Sequence, residues 1–364
     1  MRGGAGWGWR FCGAVGGVLG VLAWPGAAVA APAGTPVCEV ADRRLDEISG
    51  MVATDDGFVM VNDGADQESH RRIFFLDARC AVVRTVRYPS LPRDTEDLAV
   101  GPDGAIWVAD IGDNGGNRST VGVWRLGPGA ARPVLHRMAY PDGPRDAEAM
   151  LITGDGRPLI VAKTTGRLYA PASAPRAGRT TPLTSVGEVR LPRTTTSNPY
   201  SVLGRMVITG AATAPDRSRV VLRSYADAFE FDVPDGDVIR ALTTGRPRTV
   251  PLPDEPQGES VSYSPDGRHL LTVSERAGQP GPVPVLRYAL PEPPPAATRS
   301  GPAATRPAPE STRPAATGAA PAATGGRPAA ERDDSRLGAA AALGLAVFAL
   351  GVAGLVRARR PGGR

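Results

Sequence analysis

One short pattern recurs along this chain and limits what it can fold into. Glu47-Ile48-Ser49-Gly50-Met51 is followed by Asp56-Gly57 and then Phe58-Val59-Met60-Val61. Glu96-Asp97-Leu98-Ala99-Val100 leads to Asp103-Gly104 and Ala105-Ile106-Trp107-Val108. Glu148-Ala149-Met150-Leu151-Ile152 leads to Asp155-Gly156 and Leu159-Ile160-Val161. Glu259-Ser260-Val261-Ser262-Tyr263 leads to Asp266-Gly267 and His269-Leu270-Leu271-Thr272-Val273. A degenerate copy runs from Val207-Ile208-Thr209 through Pro215-Asp216 to Arg219-Val220-Val221-Leu222, with Thr209 in place of Glu. The copies start at 47, 96, 148, 209 and 259, a period of 49 to 61 residues. Each is an apolar run, an Asp-Gly-type turn that needs positive φ, and a β-branched run, which reads as a hairpin.

Two more strands fit in each period, at 72–76 and 82–88 in the first copy and at 121–126 and 133–140 in the second. Four strands per period of about fifty residues is the composition of a β-propeller blade. The fold expected is all-β: a propeller of five four-stranded blades over residues 31–290. A sixth blade in the Pro- and Thr-rich stretch 170–205 is the alternative. The last copy lacks a fourth strand, and Val37–Arg44, which precedes the first copy, can supply it. Closing the ring in this way removes exposed strand edges. Cys38 on that strand and Cys80 in the first copy are the two cysteines left once Cys12 departs with a leader, and a Cys38–Cys80 disulfide is expected.

The ends read differently from the repeats. Residues 1–30 have the pattern of an export signal: Arg2 and Arg10, an apolar stretch from Phe11 to Trp24, and Ala28-Val29-Ala30 before the cut. Residues 291–336 are rich in Pro, Ala and Thr without apolar periodicity, and read as a disordered, semi-rigid stalk. Residues 337–356 carry no charge, and 20 residues at about 1.5 Å each match the roughly 30 Å of a bilayer core. The tail 357–364 holds Arg357, Arg359, Arg360 and Arg364 and should stay cytoplasmic, leaving the N-terminal domain outside the cell on a single-pass anchor.

This division changes the meaning of the charge. The whole chain is formally +5, but the leader carries +2, the tail +4 and the stalk +1, so residues 31–291 are at −2. A nucleic-acid partner is therefore not indicated, and a cation suits the folded part better.

Hairpin geometry predicts which groups meet. The starts of first strands and the ends of second strands lie at one end of a propeller, so Glu47, Glu96, Glu148 and Glu259 should share a rim with Asp63, Asp110, Lys163, Arg223 and Glu275, and with Tyr225 beside Arg223. Lys163 is the single lysine of the chain among 41 arginines. Clustered carboxylates raise one another's pKa unless cations intervene. Ca²⁺ is the cofactor such a rim could take, and the oxygen-rich loop with Asp110, Asp113 and Asn114 is the candidate metal loop. The same carboxylates could instead serve as mere cement between blades. No nucleophile elbow, P-loop, dinucleotide-binding glycine motif or paired zinc-protease histidines occur, and His70, His136 and His269 fall at different phases of the repeat.

The repeat resembles extracellular bacterial β-propellers, the phytase-like or esterase-like and the calcium-dependent lactonase/phosphotriesterase propellers among them. The layout of leader, propeller, stalk, span and Arg-rich tail is similar to that of surface proteins of actinobacteria. The resemblance implies six blades for those enzymes, against five copies counted here, and transfers no catalytic residue. Two functions remain open at this point. One is a cell-surface binding or scaffold protein recognising an ion, an extracellular ligand or a protein at the rim. The alternative is a Ca²⁺-dependent hydrolase of ester or phosphoester bonds.

Overall fold

The computed structural model describes residues 33–64, 67–276 and 278–291. The expected leader, membrane span and basic tail, and the stalk beyond residue 291, lie outside them. Among the described residues no helix is long and apolar enough to cross a membrane.

The described residues are built mainly of antiparallel strands. Strand β1 (Thr35–Val40) precedes the repeats. The first sheet holds β2 (Ile48–Thr54), β3 (Gly57–Asn62), β4 (Arg72–Asp77) and β5 (Val82–Arg87) in chain order. The second copy forms β6 (Thr95–Val100), β7 (Ile106–Asp110), β8 (Val121–Leu126) and β9 (Val134–Ala139). The third forms β10 (Ala147–Ile152), β11 (Pro158–Ala162), β12 (Arg167–Pro171) and β13 (Thr180–Glu188). These two sets join into one eight-stranded sheet, because Thr180–Pro182 of β13 pairs in parallel with Arg137–Ala139 of β9. The next sheet holds β14 (Gly210–Thr213), β15 (Arg219–Arg223), β16 (Asp227–Asp232) and β17 (Arg248–Pro251). The last holds β18 (Gly258–Tyr263), β19 (His269–Ser274) and β20 (Val283–Ala289), and β1 adds to the outer edge of β20. The helices are short: α1 (Ser201–Gly204) and α2 (Val238–Thr244).

The first strand of each copy touches that of the next, and the circle β2–β6–β10–β14–β18 closes back on β2. Apolar cores fill the gaps between successive copies. Val59, Ile73, Leu98 and Trp124 pack between the first and second, and Phe229, Val220, Leu151 and Leu168 between the third and fourth. The gap that closes the circle is filled by Met51, Phe74 and Leu45 from one side and Val273, Val285 and Val40 from the other. This arrangement is that of a propeller. The stretch 170–205 contributes β13 and a strap carrying α1, and among its described residues forms no additional four-stranded sheet.

Cys38 and Cys80 are bonded. Cys38 lies on β1 and Cys80 in the turn between β4 and β5, so the disulfide clamps the closing strand to the first copy.

Candidate functional site: an acidic channel mouth

A β-bulge places each repeating glutamate. Pairing shifts register between Thr95 and Asp97, between Ala147 and Ala149 and between Gly258 and Ser260, so Glu96, Glu148 and Glu259 are each the extra residue. A bulge bends the strand and re-aims the extra side chain, here toward the channel mouth. In the first copy the shift falls between Ile48 and Gly50, so the extra residue is Ser49. Ser49, Glu96, Glu148 and Glu259 each lie eight positions before the turn glycine of their copy, Gly57, Gly104, Gly156 and Gly267.

Glu47 therefore sits two positions before the bulge, where the other copies carry Asp94, Asp146 and Gln257. The backbone bonds agree: Asp63 N–H donates to Glu47 O, Gly112 to Asp94 O, Lys163 to Asp146 O and Glu275 to Gln257 O. Glu47 still belongs to the mouth, where its charge raises the pKa of Glu275.

Asp63, Lys163 and Glu275 occupy one position of the repeat, but strand pairing puts Asp110 opposite Thr95, as Asn62, Ala162 and Ser274 lie opposite Ile48, Ala147 and Gly258, one residue before that position. One step along a strand reverses the side chain's direction. Asp110 accordingly turns away from the mouth. Its carboxylate receives Arg118 Nη2 at 2.8 Å, Trp124 Nε1 at 3.3 Å and the backbone N–H groups of Arg93 and Asp94. Asp113 accepts N–H bonds from Asn117 and Arg118, and Asn114 is exposed. The loop framed by Asp110 and Asp113 positions two other acids: Asp110 holds the backbone of Asp94, and Asp113 N–H donates to Asp146 Oδ1 at 2.8 Å. Arg223 is also away from the mouth. It is fully buried between the fourth and last sheets, with Glu255 at 2.6 Å and Ser260 O at 2.6 Å.

Among the described residues, two groups of three carboxylates form at the mouth, Asp63/Asp94/Glu96 and Glu96/Asp146/Glu148. In each, one oxygen per residue lies within 4.8 Å of the others. Glu96 belongs to both. Burial pushes its carboxyl well above the usual range, and Asp63, Glu148 and Asp94 push it further. Asp63 and Asp94 hydrogen-bond to each other, and both are raised, mainly by burial. Burial pushes Glu148 up to about 8, despite Lys163 beside it. Lys163 is held charged: burial opposes its ammonium, but Glu148, Asp146 and Glu96 outweigh that and raise its pKa.

The rest of the mouth is polar. Tyr225 donates to Glu259 Oε1 at 3.2 Å, and Gln257 Nε2 reaches the same oxygen at 3.4 Å. Tyr200, on the strap that crosses from β13 to β14, stacks on Tyr225 at 4.4 Å between ring centres and donates to Gln257 Oε1 at 3.1 Å. Burial, with Glu275 and Glu259, lifts the Tyr200 hydroxyl to about 12. Burial together with Glu259 and Asp63 raises Glu275. Next to Glu96, Asp97 is buried and accepts N–H bonds from Leu98, Met150 and Ala211, tying together the first strands of three copies. The histidines lie apart: His70 on Asp46, His136 against Trp107, His269 near Asp266.

Two observations bear on whether the mouth fits a cation. Glu148 is 3 % exposed, yet its Oε2 has no hydrogen-bond partner among the described residues. An unpartnered buried carboxylate oxygen is costly. Second, a Cβ at Gly112 would overlap Glu96 Oε1 and lie 2.7 Å from Asp94 Oδ2, so only glycine leaves these acids their place. A donor set made wholly of oxygen suits Ca²⁺ and related hard ions.

No family model and no curated protein matches the chain. Solved structures similar to it include a streptogramin B lyase, at 14 % identity over 70 % of this chain and 73 % of that one, with a TM-score of 0.35. A gluconolactonase from Xanthomonas campestris shares 16 % identity over 66 % and 72 % (TM-score 0.37), and a luciferin-regenerating enzyme 15 % over 66 % and 78 % (TM-score 0.38).

Proposed function

We propose that the chain is a divalent-cation-dependent hydrolase of ester or phosphoester bonds, with Ca²⁺ as the ion, built on a five-bladed propeller. The observation that carries this reading is Glu148 Oε2, buried without a partner beside Glu96 and Asp146. Those three residues would hold the ion. When bound, such an ion acidifies a coordinated water and polarises an acyl or phosphoryl oxygen. Asp63 and Asp94, hydrogen-bonded to each other, share a proton, so one of them is available to take a proton at the mouth and return it. Lys163 balances part of the charge on Glu148 and Asp146, and Tyr200 offers a hydroxyl donor at the entrance.

The reading as a surface binding or scaffold module uses the same rim without turnover. The test is the purified full-length chain with Ca²⁺ or with chelator, followed by thermal melting and by hydrolysis of nitrophenyl esters and phosphoesters. A Ca²⁺-dependent rise in Tm with turnover supports the hydrolase. A rise without turnover leaves the binding module, and no rise removes the ion from both readings.

We also propose that the propeller works outside the cell, exported by residues 1–30 and held by a stalk at 291–336 and a single span at 337–356. The uncharged span followed by arginines supports this address. The Cys38–Cys80 bond supports an oxidising compartment.

A further inference from the structure

The opposite end of the channel, where the hairpin turns gather, holds a separate cavity of about 420 Å³. Val52, Leu98, Val100, Ala212 and Tyr263, from four copies of the repeat, give its wall an apolar part, and Thr54, Thr213 and Ser262 contribute to a polar part nearly as large. The one cation on it is Arg217. None of the carboxylates grouped at the acidic mouth lines it, and Asp97 lies in the chain between Glu96 of the mouth and Leu98 of the cavity wall.

Arg217 stands where the repeat itself uses glycine. The turn residue is Gly57, Gly104, Gly156 and Gly267 in the other copies, and all adopt positive φ. Arg217 keeps the same turn, its N–H donating to Ala214 O at 2.8 Å, and takes φ of 59°. That conformation is costly for a residue with a side chain, and such departures cluster at functional positions. What the departure gains is a guanidinium on the cavity wall. Its Nη2 donates to Ile152 O at 2.6 Å. Among the described residues no carboxylate lies within ion-pair distance of it, and Asp55, the single acid on the wall, is exposed. Burial alone, with nothing to offset it, lowers the pKa of Arg217. The guanidinium nonetheless stays charged in proteins.

We propose that this cavity binds a small organic monoanion, a carboxylate on a compact apolar body, with Arg217 as its counter-ion. A pocket of a few hundred Å³ with apolar walls, a few polar groups and one convergent charge has the make-up of a small-ligand site. The site stands independently of the cation reading of the other mouth.

The test uses the full-length chain with chelator present, titrated by calorimetry with cyclohexanecarboxylate and with the neutral cyclohexanecarboxamide. The carboxylate is expected to bind at least tenfold tighter than the amide. Arg217→Gly, which restores the repeat's own residue, and Arg217→Met should both bring the carboxylate down to the amide's affinity while Tm stays within a few degrees. Glu148→Gln, at the far mouth, should leave it unchanged. Equal binding of acid and amide, no binding of either, or unchanged carboxylate binding by Arg217→Gly would overturn the proposal. So would unfolding of both Arg217 variants, which would make the guanidinium a structural staple to Ile152.

Discussion

The Lys163 ammonium rests on the carboxylate of Glu148 and stops 3.8 Å from Asp146 Oδ2, so the chain's single lysine lies among the acids proposed to hold a cation. An internal ammonium and an external ion compete for the same oxygens. Lys163→Gln is expected to lower the Tm of the ion-free protein, because it leaves buried carboxylates unbalanced. The same change should raise Ca²⁺ affinity about tenfold, or about 1.4 kcal/mol. Calorimetric titration with Ca²⁺ checks the second effect, and melting with and without Ca²⁺ checks the first. Unchanged affinity would show that the ion binds elsewhere.

Acidity should act on the ion-free protein in the opposite sense to most carboxylates. The folded pKa of Glu148 stands at about 8, above its ordinary value of 4.5. A raised folded pKa means that the native state holds the proton more tightly than the unfolded chain. The stabilisation is fully present below about pH 4.5 and is lost as pH rises through about 8. Urea unfolding in chelator should therefore show stability declining from pH 5 to pH 8. Saturating Ca²⁺, which favours the ionised carboxylates, should flatten or reverse the slope. A chelated protein that gains stability over this range would contradict the buried, unbalanced carboxyl.

The architecture was legible because it repeats: the Asp-Gly turns, the closing strand and the Cys38–Cys80 pair are spacing signals. The same spacing pointed to Glu96, Glu148, Glu259, Asp63, Lys163 and Glu275, whereas Tyr225 was named only for its place beside Arg223. What escaped depends on single-residue register. The bulge makes Ser49, not Glu47, the counterpart of Glu96, and a turn one residue longer between β6 and β7 than between β2 and β3, counted between equivalent pairs, puts Asp110 one step out of phase with Asp63, onto the face that meets Arg118. Spacing between variable turns does not reveal a bulge. Asp94 and Asp146 were hidden because the matched pattern begins at the glutamate two residues later. Tyr200 was hidden because a strap outside the repeat carries it.

Gly112 offers a test of the acidic mouth that leaves the acids themselves in place. Its φ is not positive, so alanine meets no backbone penalty there. The added methyl would overlap Glu96 Oε1 and crowd Asp94 Oδ2, both ends of side chains that can swing aside. Gly112→Ala is expected to change Tm by only a few degrees. It should weaken Ca²⁺ binding at least tenfold, because Glu96 is common to both carboxylate groups. Calorimetry and melting of the same sample separate the two effects. Full Ca²⁺ affinity in this variant would show that Glu96 is not a ligand.

The disulfide makes a separate claim about closure. The outer strand β1 is held to β20 by backbone pairing from Thr35 to Val40, and Cys38 lies in the middle of that run, beside a register shift. Its partner Cys80 comes 42 residues later and belongs to the first copy, so the bond spans the junction where the circle closes. Cross-linking a loop of this length restricts the unfolded chain and is worth roughly 2–4 kcal/mol. Replacing both cysteines by serine should lower unfolding stability by about that amount, measured in urea. The first structure lost should be β1 with the edge of β20, seen as faster amide exchange there than in β6 or β10. Protection at β1 equal to that of the inner strands would mean that apolar packing of Val40 and Leu45 against Val283 and Val285 closes the ring without the bond.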